Sequence, residues 1–288
     1  MWPFDRSPVV PVLRLQGPIG MASPLRPGLS ITGLAGAIER AFEMSKLPSV
    51  AIVINSPGGS AAQSHLIFKR IRQLAEEKKK RVHVFCEDVA ASGGYFIAVA
   101  GDEIYADPSS LVGSIGVISS SFGLDKVLKR YDIDYRVHTA GTSKNILDPF
   151  LPEKPEDVAR LKAIQSDIHD VFIAVVKEGR GARLKETPEE RRAGKLKGLD
   201  GELFSGAFWA GAKALEHGLI DGISDVRSRM RDVHGDKVKL RLVPLDRGGL
   251  LSRLRRTPGN TGLDGNGRLA LADDLLSAVE IRALWSRY

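Results

Sequence analysis

Between residues 8 and about 244 the chain alternates two patterns. Short apolar runs rich in β-branched residues are followed by stretches whose apolar positions recur every three or four residues. "VVPVLRLQG" predicts a strand, and residues 31–45 predict a helix. "SVAIVINS" is apolar on successive positions, as a strand buried on both faces must be, and "PGG" ends it. Residues 60–78 read as a helix with Leu66, Ile67, Ile71 and Leu74 on one face and "EEKKK" at its polar end. The sequence then predicts a strand at "VHVFCE", a helix over 92–100, and strands at "EIYA" and "VGSIGVI". A short helix at "GLDKVLKRY" and a strand at "DYRVHTAG" follow. Pro155 opens a long helix reaching about Gly179, since proline is tolerated in a first helical turn. "SGAFWAGAKALEHGLID" predicts a helix capped by Gly218, and "DKVKLRLVPL" a last strand. Strand–helix alternation of this kind argues for an α/β domain in which helices cover a mainly parallel sheet.

This pattern stops near residue 244, which sets the expected domain at 8–244. Residues 245–268 read as a basic, flexible linker, with "TPGNTGLDGNGR" its most flexible part. Residues 269–288 are expected to form a C-terminal tail helix, with Leu271, Leu275, Val279 and Trp285 near one face. It is suited to a subunit interface or, less well given Asp273, Asp274 and Glu280, to a membrane surface.

Composition narrows the setting. One cysteine among 288 residues, Cys86, leaves no disulfide within the chain and no Cys-rich metal site, and it sits in an apolar run that suggests a buried thiol. No apolar run reaches the roughly 18 residues that span a bilayer, and the N-terminal residues carry no secretory signal pattern. The expectation is a cytoplasmic protein without metal or organic cofactor. The net charge of +7 is concentrated at residues 224–256, where ten Lys/Arg face four Asp. No nucleic-acid-binding motif accompanies that segment, so a solvated basic edge or peripheral contact with an anionic membrane is expected rather than specific nucleic-acid binding.

Candidate chemistry lies at strand ends. In "ASGG", Ser92 precedes the 92–100 helix and reads either as an N-cap or as a nucleophile whose following amide, that of Gly93, would stabilise an oxyanion. In "NSPGGS" the glycines serve either a tight turn or a second oxyanion amide, from Gly59. No histidine lies near Ser92 in sequence. A lysine replaces histidine as a base only when neutral, which burial favours. Lys144, in "TSKNILDPF", has apolar neighbours at 146, 147 and 150 and one nearby charge, Asp148, though lysines are also common on surfaces. His138 and His169 are the alternative bases, in a predicted strand and within a helix.

Taken together, "INSPGGS", "ASGGYFIAVAGDEIYADPSSLVGSIGVI", the G-x-x-K before "PF", the helix ending "EGRG" and "ALEHGLIDGISD" resemble the signal peptide peptidase A-like serine peptidases, family S49. They stand in that family's order over about residues 10–240. The resemblance implies a ClpP/crotonase-like fold of stacked ββα units assembled into rings. It implies a Ser/Lys dyad with Ser92 as nucleophile and Lys144 as general base. Ser114 then orients the lysine, and Gly59 and Gly93 supply the oxyanion amides. The implied activity is serine endopeptidase cleavage of extended or unfolded polypeptides, signal-peptide remnants among them, through an acyl-enzyme in a homo-oligomer. Three other readings compete. One is a ClpP-type Ser/His/Asp peptidase. Another is a crotonase-like acyl-CoA enzyme using carboxylates such as Glu87 and Asp88. The third is a non-catalytic ring scaffold.

Overall fold

A computed structural model describes residues 7–20, 28–141, 143–185 and 202–245. Packing of the backbone divides the chain into Met1–Pro244 and Leu245–Tyr288. The expected linker, except for Leu245, and the expected C-terminal helix lie outside the described residues.

Eight strands form one sheet among the described residues. In chain order the elements are β1 (Val9–Gln16), α1 (Ile31–Glu43), β2 (Ser49–Ser56), α2 (Ala61–Lys78), β3 (Arg81–Ala91), α3 (Gly93–Ala98), β4 (Glu103–Ala106) and β5 (Leu111–Gly113). There follow α4 (Asp125–Arg130), α5 (Pro155–Arg180), β6 (Phe208–Ala210), α6 (Gly211–Glu216), β7 (Gly222–Ile223), α7 (Val226–His234) and β8 (Lys239–Leu242). The main path runs β6-β5-β3-β2-β1-β8, with β4 joining β3 to β7. Every pairing is parallel except β5 with β6. The chain therefore has the α/β class that its alternating pattern predicts.

The two faces of the sheet follow the period of two along each strand. Val10 and Val12, Ala51 and Val53, Phe85 and Tyr105 point to one face, where Met230 of α7 packs on them. Leu13 and Leu15, Val50, Ile52 and Ile54, Val82 and Val84, and Ile104 occupy the alternate positions and are also buried. Helices α1 and α2 pack side by side, and α2 lies against α3. Ser30 and Ser60 cap α1 and α2 by accepting from the amides of Gly33 and Gln63.

Several local expectations are corrected. Leu66 is exposed, because the buried stripe of α2 runs through Ser64, Ile67, Ile71 and Leu74. The strand expected over 112–118 stops at Gly113, where left-handed backbone at Gly113 and Ser114 breaks the extended run. No strand forms at 134–141; that segment is exposed along its length. The stretch 205–221 divides into β6 and the short α6 rather than one helix. Helix α7 is additional: Asp225 caps it through the amides of Arg227 and Ser228.

Candidate active site

Because β2, β3 and β5 are parallel neighbours, their carboxyl ends lie side by side, and each continues into one of the glycine-rich turns. Ala91 is in register with Gly113, so Ser92 and Ser114 follow on adjacent strands. The Ser92 amide donates to the Gly113 carbonyl at 2.8 Å. Ser92 stands between β3 and α3 with φ 50° and ψ −123°, a conformation that L-residues other than glycine seldom adopt. Its hydroxyl makes no cap hydrogen bond, so the N-cap reading fails, and the residue is half-buried rather than sealed in. A sharp strand-to-helix turn with a strained serine is the geometry that lifts a hydroxyl above a sheet edge for attack.

The turn after β2 packs directly on this serine. A β-carbon on Gly58 would sit 2.7 Å from the Gly93 nitrogen and 2.8 Å from Ser92 Cβ, and one on Gly93 would meet Ser64 Oγ at 2.4 Å. Only glycines permit that approach. The stretch Gly17–Gly20 braces the turn from outside: Ile19 donates to the Gly58 carbonyl, and Ser60 donates to that of Ile19. The amides of Gly59 and Gly93 have no hydrogen-bond acceptor among the described residues, and Gly59 is exposed. The Gly59 amide is therefore open to a ligand oxygen, while that of Gly93 is unpaired within the buried start of α3.

Ser114 is 8% exposed, with φ 54°, and its amide donates to Ala207 at 2.7 Å. His169 of α5 donates from Nε2 to the Ile115 carbonyl at 3.0 Å, which ties the turn bearing Ser114 to that helix. His169 thus has a structural partner, and His138 is exposed in the 134–141 segment. The carboxylates weighed for acyl-CoA chemistry are engaged elsewhere: Glu87 with Arg14 at 2.5 Å and Asp88 with Asn55 at 2.6 Å.

No hydrogen bond joins Lys144 to Ser92 or Ser114 among the described residues. Lys144 lies in a turn closed by its amide on the Gly141 carbonyl, its side chain is exposed, and it forms no ion pair among the described residues. The segment that bears it presents large apolar side chains to solvent, among them Ile118 (60% exposed), Phe122 (75%) and Tyr131 (67%).

Behind the turn lies a buried network with no local sequence signal. Tyr95 of α3, three residues past the serine, donates to the Leu219 carbonyl at 2.7 Å. Arg180, 1% exposed, holds that same turn through the Gly218 carbonyl at 3.0 Å and grips Asp221 with two bonds of 2.7 and 3.0 Å. Burial alone would raise the Asp221 carboxyl, but the hydrogen bonds and charge of Arg180 and the Ile104 amide bring it below its ordinary range. Burial pushes the Cys86 thiol up to about 12, so it is a core residue and not a nucleophile. No group of His, Cys, Asp and Glu suited to a metal occurs among the described residues.

Comparison with known proteins adds the following. The profile of peptidase family S49 matches residues 74–237. The chain is 52% identical over 282 residues to a protein of Brucella abortus named Na(+)/H(+) antiporter NhaA, covering 97% of this chain and 36% of that protein. It is 30% identical over 215 residues to the chloroplastic serine protease SPPA of Arabidopsis thaliana, covering 74% of this chain and 29% of that one. It is 27% identical over 190 residues to protease 4 of Haemophilus influenzae, covering 66% and 28% respectively. The chain thus spans roughly a third of the length of these relatives.

Proposed function

Because the chain belongs to peptidase family S49, we propose that it is a serine endopeptidase acting on extended polypeptide through Ser92. The observation that carries this reading is the uncapped Ser92 hydroxyl, held at φ 50° in a strand-to-helix turn beside two amides without acceptors. In the proposed reaction the neutral amine of Lys144 takes the Ser92 Oγ proton as the oxygen attacks the peptide carbonyl. The Gly59 and Gly93 amides donate to the resulting oxyanion. The lysine ammonium then protonates the leaving amine, which releases one peptide and leaves an acyl-serine. Water, deprotonated by the same lysine, hydrolyses that ester. Ser114, in the turn just past the strand beside that of Ser92, orients the lysine.

This reading requires Lys144 to reach Ser92 and to be shielded from water, whereas its side chain is exposed in the single chain. The apolar side chains exposed around Lys144 favour assembly of several copies, which would cover that segment. A homo-oligomer of this kind would also wall off a cleft that admits only unfolded chain, with signal-peptide remnants one class of it. The antiporter name is not carried over, because the match covers 36% of that protein and no helix among the described residues is long and apolar enough to cross a membrane. Peripheral contact with an anionic membrane remains a proposal supported by the basic residues of 224–256.

The test is labelling of the full chain with a fluorophosphonate probe, alongside hydrolysis of unfolded casein. Labelling at Ser92 with casein cleavage, both lost in Ser92→Ala, is the expected result. A probe that leaves Ser92 untouched while casein is still cleaved would overturn it.

A further inference from the structure

The parallel strands have a second end. Ser49, Arg81 and Glu103 open β2, β3 and β4, with Arg81 roughly 36 Å along β3 from Ser92 at about 3.3 Å per residue. On the face covered by α7 the row of apolar residues Ala51, Val53, Phe85 and Tyr105 gives way there to Ser49, His83 and Glu103. The polar residues line a recess of about 520 Å³, closed by Lys79, Arg229 and His234.

Its polar groups are organised around one carboxylate. Glu103 accepts from Arg81 at 3.1 Å, His83 Nδ1 at 3.1 Å, Tyr105 at 2.9 Å and Arg229 at 3.2 Å. His83 is buried, and its Nε2 lies 3.4 Å from Ser49 Oγ. With Nδ1 donating to Glu103 and Nε2 accepting from Ser49, the neutral ring satisfies both contacts. Arg81 and Arg229 are thereby fixed on either side of Glu103, and each binds it through a single Nη. The Arg229 guanidinium also lies 5.1 Å over the Tyr105 ring, while Arg81, largely exposed, keeps N–H groups facing the solvent side of the recess.

Lys79 adds a third cation under an unusual constraint. It ends α2 in the left-handed conformation, φ 52° and ψ 48°, where glycine is the usual residue, and its ammonium forms no ion pair among the described residues. Its charge favours the carboxyl end of the helix dipole, while its left-handed backbone carries a strain that glycine would not. Three cations, two of them held on Glu103, against that one carboxylate leave the residues lining the recess with two excess positive charges. Burial lowers the affinity of His83 and His234 for protons, so neither adds to that sum near neutrality.

We propose that this recess, at the amino ends of β2, β3 and β4, binds a phosphate-bearing dianion through Lys79, Arg81 and Arg229. Two excess charges match a phosphomonoester rather than a monocarboxylate, and the volume leaves room for the group that the phosphate is attached to. The site is independent of the chemistry at Ser92, from which the full length of β3 separates it.

The experiment uses the full chain with two probes. One is inorganic pyrophosphate in calorimetric titration. The other is sedimentation with phosphatidylcholine vesicles containing either phosphatidic acid, which exposes a phosphomonoester, or phosphatidylserine. Lys79 and Arg81 are exposed, so Lys79→Gly and Arg81→Ala should fold. Lys79→Gly should even raise the melting temperature by relieving the left-handed position. Each should weaken binding at least tenfold. Pyrophosphate binding with that loss supports a soluble phosphate ester as ligand. Loss seen only with phosphatidic acid vesicles supports a lipid headgroup. No binding in either arm, unchanged binding by both variants, or equal retention on phosphatidylserine vesicles would overturn the proposal.

Discussion

Gly58 lies so close to Ser92 that a β-carbon on the glycine would stand 2.8 Å from Cβ of the serine. The turn after β2 therefore holds the serine in its left-handed conformation. Gly58 itself has φ +102°. Gly58→Ala is expected to cost about 1–3 kcal/mol of stability through overpacking and strain. It should also lower kcat far more than KM, because it displaces the nucleophile. Ser92→Gly is expected to do the reverse for stability, raising it by roughly 1 kcal/mol as φ 50° becomes unstrained while activity is lost. Urea unfolding with casein hydrolysis measures both, and an unchanged stability in both variants would contradict the strain argument.

The base is tested by substitution. Lys144→Arg keeps the positive charge but cannot act as a base, so it is expected to be as inactive as Lys144→Ala. His138→Ala should retain full activity. His169→Ala should lose only part of it, since it releases the Ile115 carbonyl. A dead His138→Ala with an active Lys144→Ala would move the site to a histidine-dependent peptidase.

Ser114→Ala is expected to reduce kcat by about 10–100-fold with little change in KM, the signature of a group that orients a general base. Ser114→Thr should recover part of the loss if the hydroxyl is the cause. Unchanged kcat in the alanine variant would make Ser114 a packing residue of the 113–116 turn.

Arg180 and Asp221 give a prediction on acid stability. The folded Asp221 carboxyl is depressed, so its contribution is fully present above the unfolded value of about 3.9 and is lost as pH falls through the lower folded value. Stability should therefore decline below about pH 4 more steeply in the wild type than in Asp221→Asn. At pH 7 that variant should be less stable by about 3–5 kcal/mol, since it leaves Arg180 buried without its counter-ion. Parallel pH profiles from urea unfolding would contradict the assignment.

Assembly is expected to accompany activity. Light scattering should find a homo-oligomer at micromolar concentration, and Phe122→Glu or Ile118→Glu, at solvent-facing positions, should dissociate it and abolish casein cleavage together. A fully active monomer would show that the exposed apolar segment serves another purpose.

The strands were legible wherever burial on both faces left an unbroken apolar run, as in β2, or where short runs alternated with helical periodicity. The reading went wrong where a local pattern met a tertiary constraint. "VGSIGVI" looks like a strand, but Gly113 and Ser114 turn left-handed so that Trp209 can cover Gly113. "DYRVHTAG" has strand character but lies exposed along its length, with no burial to favour pairing. Helix α7 was hidden by its composition, since Met230 is its one fully buried residue; the Asp225 cap was the available signal. The turns bearing Ser92, Ser114, Gly59 and Gly93 follow strands that the fold sets side by side, and of these residues Ser114 is singled out in the sequence only by the family resemblance. The Arg180–Asp221 pair was not legible, because 41 positions separate its members. The recess beside His83 escaped for a similar reason: its residues come from four separate segments.

The pairing of β1 with β8 carries a consequence for biosynthesis. Val9 finds its partner in Lys239, 230 residues later. At a translation rate of about 5–20 residues per second, the outer edge of β1 waits roughly 10–50 s on the ribosome before β8 emerges. Throughout that interval "VVPVLRLQ" presents an unpaired apolar edge, the template for wrong pairing with other nascent chains. Slow codons or arrest between residues 17 and 238 should therefore increase aggregation, whereas a circular permutant that places Lys239–Leu242 just ahead of Val9 would close the edge almost as soon as it appears.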